Sequence, residues 1–498
     1  MSTLLHYQHF YLVGIKGVAM TALAQCLLDA GKTVTGSDVA EQFVTQPILD
    51  RCGIQIDESF DTALPLDTEC VIYTSAHHSQ QNPQVQAALA KKLPIFTHAE
   101  ALSFFFNHKD GVAVCGVGGK STTSAMITWV AEKLNRHPSF AVGVGNIPGL
   151  EKTGQWQPQT QFFIAEADEY VTDPSAPSRG EEITPRFSFL DPYLTICTHL
   201  KHDHPDVYPD FATTRKHFQR FFDHIKPDGL LITNLADRHV IESLKFWSEA
   251  KGRRHVWFGQ TEYPAPALAT DQFLLITSTF SAQDGQTSCT IAIGPTQELI
   301  TLRLQLPGLY NLENAVAAVA ACWRMGISPE EAVSTLFSFR STQRRSEYIG
   351  EKNGVRYYDD YAHHPHEVAS VIHAYRQWFP ESRLIIGFQS HTFSRTKQFF
   401  DEFVEAFAEA DEVAMLDIFP SAREAFDSSV TSSQLCVAIT QKYPGLKAHN
   451  YETLPNLAQH CQATLRPGDV FLSLGAGNIY QVHDFISAGI ALNQANNI

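Results

Sequence analysis

Residues Gly116-Val117-Gly118-Gly119-Lys120-Ser121-Thr122-Thr123 are of the types that phosphate chemistry requires. Glycines let backbone N–H groups converge on phosphate oxygens, and a helix N-terminus behind them adds a favourable dipole. Lys120 can reach the outer phosphates as a point charge, and the Ser121 hydroxyl can ligate Mg²⁺. The elements that must hold this stretch are legible on either side. Val112-Ala113-Val114-Cys115 reads as a buried strand, while Ala125, Met126, Trp129, Val130 and Leu134 share one helical face. Strand, glycine-rich turn and helix start are the context of a phosphate-binding loop. The alternative is a plain turn with a solvated lysine, because the loop is shorter than the usual G-x-x-x-x-G-K-[ST] unless Gly111 is counted into it.

Further chemistry-bearing residues follow two more apolar runs. Phe162-Phe163-Ile164-Ala165 leads into Glu166-Ala167-Asp168-Glu169, and Leu194-Thr195-Ile196-Cys197-Thr198 into His199-Leu200-Lys201-His202-Asp203-His204. Acids and histidines just past the ends of strands sit where open α/β sheets bind ligands. Glu166 is the better metal candidate of the two glutamates, against the alternative of a solvated strand end. Among His199, His202 and His204 the residues alone leave the choice open, against the alternative of a satisfied loop histidine. Zinc is disfavoured, since its ligands are normally spaced more widely and no cysteine pair supports it.

The remaining elements frame these groups. His9 to Val13 reads as a strand entering Gly14-Ile15-Lys16-Gly17, followed by a helix that Gly31 ends and by a strand closing at Ser37-Asp38. This opens a Rossmann-like unit, but Lys16 stands at the second glycine of the dinucleotide fingerprint, so an NAD site is not expected. Residues 71–75 and 94–96 read as further strands, 171–191 as an exposed loop rich in Pro, Ser and charge, and 270–304 as antiparallel β structure. Strands at 355–360, 384–388, 412–416 and 470–474, spaced by helical segments, make another sheet. The expected class is α/β in three domains: a Rossmann-like segment 1–108, a central P-loop segment 109–340 and a Rossmann-like segment 341–498.

At 498 residues the chain is too long for one core. Its net charge of −16 without a basic block argues against a nucleic-acid partner. The nine cysteines are scattered and read as buried thiols in a reducing compartment. Neither a secretory signal nor a membrane-length apolar run is evident, so a cytoplasmic protein without membrane contact is expected.

Taken in order, Gly14–Gly17, Gly116–Thr123, Glu166–Glu169, Asp203-His204, Asn311-Leu312-Glu313-Asn314, Arg344-Arg345, Asp359–Pro365, His391–Thr396 and Gly475–Gly477 resemble the Mur ligases. These are three-domain ATP-dependent enzymes that build the peptidoglycan stem peptide, and the likeness covers essentially the whole chain. The resemblance implies an amide-forming ligase that joins L-alanine to the carboxylate of UDP-N-acetylmuramate through an acyl phosphate. The alternatives are addition of a preformed tripeptide to the same nucleotide sugar, and a non-catalytic nucleotide-binding relative. By the same resemblance, Gly116, Gly118, Gly119, Lys120, Ser121 and Thr122 would hold the ATP phosphates. Asn311 and Asn314 would contact adenine, with Arg345 and Asp360 on phosphate and ribose. Ser121, Glu166 and His204 would hold Mg²⁺, or Mn²⁺, and Lys120, Glu166 and His204 would carry catalysis. UDP would lie against Gly14, Ile15, Lys16, Gly17, Ser37, Asp38 and Ser75, and the amino acid against Tyr361, His363 and Arg395. The implied partners are small molecules, and the chain is expected as a monomer or homodimer. Departures from the family are Val117-Gly118 in place of Thr-His, Tyr310 for His, His199 and Lys201 for Asn and Glu, and a longer 171–191 loop.

Overall fold

The protein is described here by a computed structural model covering residues 4–202, 204, 207–235, 237, 239–240, 242, 254–260, 272–283, 285–294, 298–420 and 426–495. Asp203, part of the strand-end motif above, lies outside them. The chain divides into two compact units, one comprising Met1–Phe280, Ser288–Arg303 and Tyr310–Thr342, the other Ser281–Thr287, Leu304–Leu309 and Gln343–Ile498.

The first unit contains a parallel five-stranded sheet in the order Ile56–Asp57, Thr33–Ser37, His9–Val13, Cys70–Tyr73, Ile95–Thr97. The order in which strands are added reverses between His9–Val13 and Cys70–Tyr73, which pair in parallel, and this leaves a crevice at their carboxyl ends. Both strands are almost entirely buried, as continuous apolar runs in a parallel sheet must be. Beside this sheet lies a ten-stranded one. Its central strands run Leu230–Asn234, Leu194–Cys197, Asp110–Cys115, Phe162–Glu166, Ser139–Ala141, and neighbours among them pair in parallel. The phosphate-loop strand is therefore flanked by the two strands that end in acids and histidines. Between residues 270 and 304 the expected antiparallel structure is only partly described. Gln272–Gln283 pairs in parallel with Arg254–Gln260 on its inner side, because the sheet is entered through the parallel series.

The two sheets share one apolar core. Leu12, Ile72, Ala113, Phe163, Cys197 and Leu231 belong to a single cluster of buried residues. Helix Val18–Asp29 seals the join: the Gln25 amide donates to Thr153 Oγ1 at 3.0 Å, and Lys152 Nζ lies 2.5 Å from Asp29 Oδ1. A Cβ on Gly154 would run into the Ala22 carbonyl, so only glycine permits this approach. The 171–191 segment is less exposed than its composition predicts. Val171 is buried, and Phe187 and Leu190 enter the core, where Phe187 stacks on Phe221 at 4.5 Å. Ser175, residues 179–182 and Thr184 are exposed, in a short excursion whose ends are joined by Thr172 N donating to Thr184 O at 3.1 Å.

The second unit holds a six-stranded sheet, Glu347–Lys352, Val355–Asp360, Val470–Leu474, Leu384–Phe388, Glu412–Met415, Lys447–Asn450. All its pairs are parallel except that of the first strand. No helix among the described residues is long and apolar enough to cross a membrane.

Candidate active site

Strand Asp110–Cys115 delivers the chain into Gly116, and helix Lys120–Lys133 takes it away. Gly116, Gly118 and Gly119 have φ of 114°, 86° and 79°, a region that side chains resist. A Cβ on Gly116 would also meet Thr198 and His199, and one on Gly119 would meet the Asn314 amide. The loop is clamped from the neighbouring strand: Val117 N donates to His199 O at 2.8 Å, and Thr198 Oγ1 donates to Gly118 O at 2.7 Å. Among the described residues the Gly118 and Gly119 N–H groups have no hydrogen-bond partner, which is what an anion cradle requires.

Lys120 Nζ donates to both carboxylate oxygens of Glu169 at 2.8 Å and to Gly116 O at 2.9 Å. Burial acts to lower the pKa of this ammonium, but Glu169 and Asp168 outweigh it and hold the group above the ordinary lysine range. Ser121 Oγ donates to Glu166 Oε2 at 2.9 Å, and Gly143 N to Glu166 Oε1 at 2.6 Å. Burial pushes the Glu166 carboxyl up, against Lys120 and these two donors. Asp168 is the opposite case. Burial would raise it, yet Arg186 and Lys120 hold it at about 2. His204, at φ 57°, lies with Nε2 3.6 Å from Glu169 Oε1 and its ring 4.8 Å from Tyr170.

The structure thus brings Gly116, Gly118, Gly119, Lys120, Ser121, Glu166, His204 and Asn314 into one neighbourhood, with Asn311 buried on the same helix as Asn314. No group of three or more His, Cys, Asp or Glu among the described residues forms a ready metal cage. The Ser121 hydroxyl and Glu166 carboxylate do offer the hard oxygen ligands that suit Mg²⁺ together with phosphates. Two pairings at the site are not set by spacing. Glu169 takes Lys120, and Arg186 bridges Asp168 and Ser75. Only a contact reveals them, since neither belongs to a pattern that sets its partner.

At the first sheet, Gly14 N and Ile15 N both donate to Ser37 O, at 2.8 and 3.1 Å, Gly17 N to Gly14 O at 3.3 Å, and Lys16 N to Asp38 Oδ2 at 2.7 Å. The Lys16 ammonium is turned inward onto the carbonyls of Val39 and Glu41 at 2.8 and 3.0 Å. Ser37 bonds to Gln84, and His77 Nε2 stands 3.3 Å from Asp38 Oδ1. Ser75 accepts from Arg186.

In the second unit, Asp360 follows the sheet into a loop whose backbone claims its carboxylate: Ser346 N donates at 2.6 Å and Ala362 N at 2.8 Å. Burial pushes Asp360 up, with Arg345 opposing. The Arg345 guanidinium lies 5.0 Å from the Tyr361 ring. Arg344 is the structural member of the pair, donating to Asp359 at 3.1 Å and to the carbonyls of Gly477 and Gly475 at 3.0 and 2.5 Å. Tyr361, His363 and Arg395 converge. The Tyr361 and His363 rings are 5.2 Å apart, His363 is 6.3 Å from His391, and Arg395 Nη1 is 3.4 Å from His391 Nδ1. Burial, aided by Arg395 and opposed by Glu367, holds His363 below the ordinary histidine range and therefore neutral near pH 7.

The chain is similar to known proteins in sequence and in fold. Residues 9–110 match the Mur ligase family catalytic domain, 114–322 the Mur ligase middle domain, and 344–477 the Mur ligase glutamate ligase domain. The UDP-N-acetylmuramate–L-alanine ligase of Desulfitobacterium hafniense strain Y51 is 32% identical over 479 residues, 95% of this chain and 98% of that one. The enzyme of the same name from Chlorobium chlorochromatii is 32% identical over 95% of each chain. Among solved structures, the UDP-N-acetylmuramate-alanine ligase MurC of Thermotoga maritima shares the fold at a TM-score of 0.77 and 24% identity, over 97% of this chain and 100% of that one. A murein peptide ligase from Psychrobacter arcticus does so at 0.67 and 20%, over 97% and 98%. With its three domains matched in order and its relatives aligned from end to end, the chain belongs to the Mur ligase family.

Proposed function

We propose that this protein is an ATP-dependent ligase that joins L-alanine to UDP-N-acetylmuramate in peptidoglycan precursor synthesis. The observation that carries the reading is the agreement of the 32%-identical relative with a phosphate cradle whose lysine faces a buried carboxylate cluster. A carboxylate oxygen of the nucleotide sugar attacks the γ-phosphorus of ATP, and ADP leaves. The amino group of L-alanine then attacks the acyl carbon, phosphate leaves with the bond electrons, and the nitrogen gives up a proton. Such transfers need positioning and charge stabilisation more than covalent help from the enzyme.

The Gly116–Thr122 loop binds the phosphates, and Lys120 exchanges Glu169 for the γ-phosphoryl oxygens as negative charge develops there. Bound Mg²⁺, or Mn²⁺, would neutralise phosphate charge, with Ser121, Glu166 and His204 as its protein ligands. Asn311 and Asn314 hold the adenine, and Arg345 and Asp360 act on phosphate and ribose. UDP is received at the carboxyl end of the first sheet, around Gly14–Gly17, Ser37, Asp38 and Ser75. Arg395 pairs with the carboxylate of the amino acid, while neutral His363 and Tyr361 limit its side chain. The functional segments are 1–108, 109–340 and 341–498, the setting is the cytoplasm, and the enzyme works as a monomer or homodimer. The test is phosphate release from ATP with UDP-N-acetylmuramate and, in turn, L-alanine, glycine, L-serine and L-Ala-γ-D-Glu-meso-diaminopimelate. L-alanine should give the highest kcat/KM, and a preference for the tripeptide overturns the reading.

A further inference from the structure

Arg186 lies outside every motif, yet it links the two sheets of the first unit at their ligand-binding ends. Nη1 donates to Asp168 Oδ2 at 2.6 Å, Nη2 donates to Ser75 Oγ, and the guanidinium carbon lies 5.4 Å from the centre of the Tyr170 ring. Its backbone is held as firmly: Arg186 N donates to Tyr170 O at 2.9 Å, and Phe187 N to Asp168 O at 3.0 Å. The neighbouring Phe187 is anchored in the core. The side chain nevertheless keeps 23% of its surface exposed. Among the described residues it has no further hydrogen-bond partner, and a guanidinium carries more N–H donors than these two contacts use.

Position narrows what those donors meet. Ser75 follows strand Cys70–Tyr73, the neighbour of the strand that ends in the Gly14 turn. Asp168 follows strand Phe162–Glu166, the neighbour of the strand that ends in the Lys120 loop. A ligand with its diphosphate at the first turn and its reacting end at the second must pass Arg186. The sheets are already tied elsewhere, by Gln25 with Thr153 and Asp29 with Lys152, so the Arg186 bridge is not needed for that alone. A fixed guanidinium fork matches a planar carboxylate better than it matches any neutral sugar group.

We propose that Arg186 binds the lactyl carboxylate of the acyl donor and aims it at the γ-phosphorus, with Asp168 as the residue that orients the guanidinium. The inference rests on UDP-N-acetylmuramate being the donor. It names the group that distinguishes this sugar nucleotide from UDP-N-acetylglucosamine, which has the same uridine diphosphate and amino sugar but no lactyl ether.

Dissociation constants for both sugar nucleotides, measured by calorimetry on the full chain and on Arg186→Gln and Arg186→Lys, test it. Arg186→Gln should weaken UDP-N-acetylmuramate about tenfold or more, and leave UDP-N-acetylglucosamine and ATP within about twofold. Arg186→Lys keeps the charge without the fork and should fall between the wild type and Arg186→Gln for the muramate nucleotide alone. Equal weakening of both nucleotides would mean that Arg186 supports the fold or the shared diphosphate, and unchanged binding of both would mean that it touches neither; each overturns the inference. Phosphate release by the wild-type chain is measured alongside. A wild type that binds the donor selectively but releases no phosphate with L-alanine sinks the ligase reading and leaves the Arg186 result standing.

Discussion

Two glycine turns in the first unit each carry a lysine, and the protein uses them in opposite ways. In the Gly14–Gly17 turn every N–H is donated within the turn or to Ser37 and Asp38, and Lys16, 1% exposed, caps the carbonyls of Val39 and Glu41. In the Gly116–Lys120 loop the Gly118 and Gly119 N–H groups are among those that remain unspent, and Lys120 rests on a carboxylate. Beyond the two carbonyls it caps, the Lys16 ammonium has the exposed Glu58 carboxylate 3.6 Å away. Lys120 instead rests on the buried Glu169 carboxylate, with Asp168 and Glu166 close by. Residue type and the preceding strand are alike in the two places, and the partner decides whether a lysine supports the fold or the chemistry.

The largest expected effect separates the two lysines outright. Lys120→Ala should lower kcat for phosphate release by two or more orders of magnitude, about 3 kcal/mol of transition-state stabilisation, while ATP affinity falls less because the loop amides remain. Lys16→Met should instead appear in the thermal melt. Losing charge-assisted bonds to two part-buried carbonyls is worth roughly 1.5–3 kcal/mol, with ATP affinity unchanged. A stable Lys16→Met protein with weakened ATP binding would reverse the comparison.

A smaller effect should divide the carboxylates. Activity should vanish with EDTA and return with Mg²⁺ or Mn²⁺, and Glu166→Gln should raise the Mg²⁺ midpoint about tenfold, whereas Glu169→Gln should leave it in place. The opposite outcome would make Glu169 the metal ligand and the Lys120 contact secondary. The smallest effect concerns the acceptor. Glycine and L-serine should be slower than L-alanine by about tenfold to two-hundredfold, since a methyl or hydroxymethyl difference discriminates by only ~1–3 kcal/mol. Arg395→Ala should raise the KM for L-alanine; an unaltered KM removes Arg395 from the acceptor site.

Much of the fold is legible along the chain because a buried parallel strand is a local event. Val112–Cys115, Phe162–Ala165 and Leu384–Phe388 announce themselves as apolar runs, and each is a strand. Strands of two residues, Ile56–Asp57 and Gly154–Gln155, leave no such run and owe their existence to neighbours. The same division holds at the site. A glycine-rich loop between a strand and a helix is a property of consecutive residues, so Lys120 and Ser121 could be proposed from their order alone. The segment holding Arg186 reads as solvent loop because its prolines, serines and charges dominate the composition, while the two aromatic and aliphatic anchors that bury it are too few to set a period.

The sequence by itself determined the α/β class, the phosphate loop, the acids placed at strand ends and, through the order of its motifs, the Mur ligase resemblance. Each of these depends on residue types a few positions apart. Only the tertiary structure decided that the first two sheets share one core, that Lys120 lies on Glu169 while Glu166 takes Ser121, that Lys16 faces inward, and that Arg186 reaches Ser75 across 111 positions. Those outcomes depend on which side chains meet after packing. A carboxylate a few residues either way along the same strand end has the same local signature, and only the direction of its side chain selects its partner.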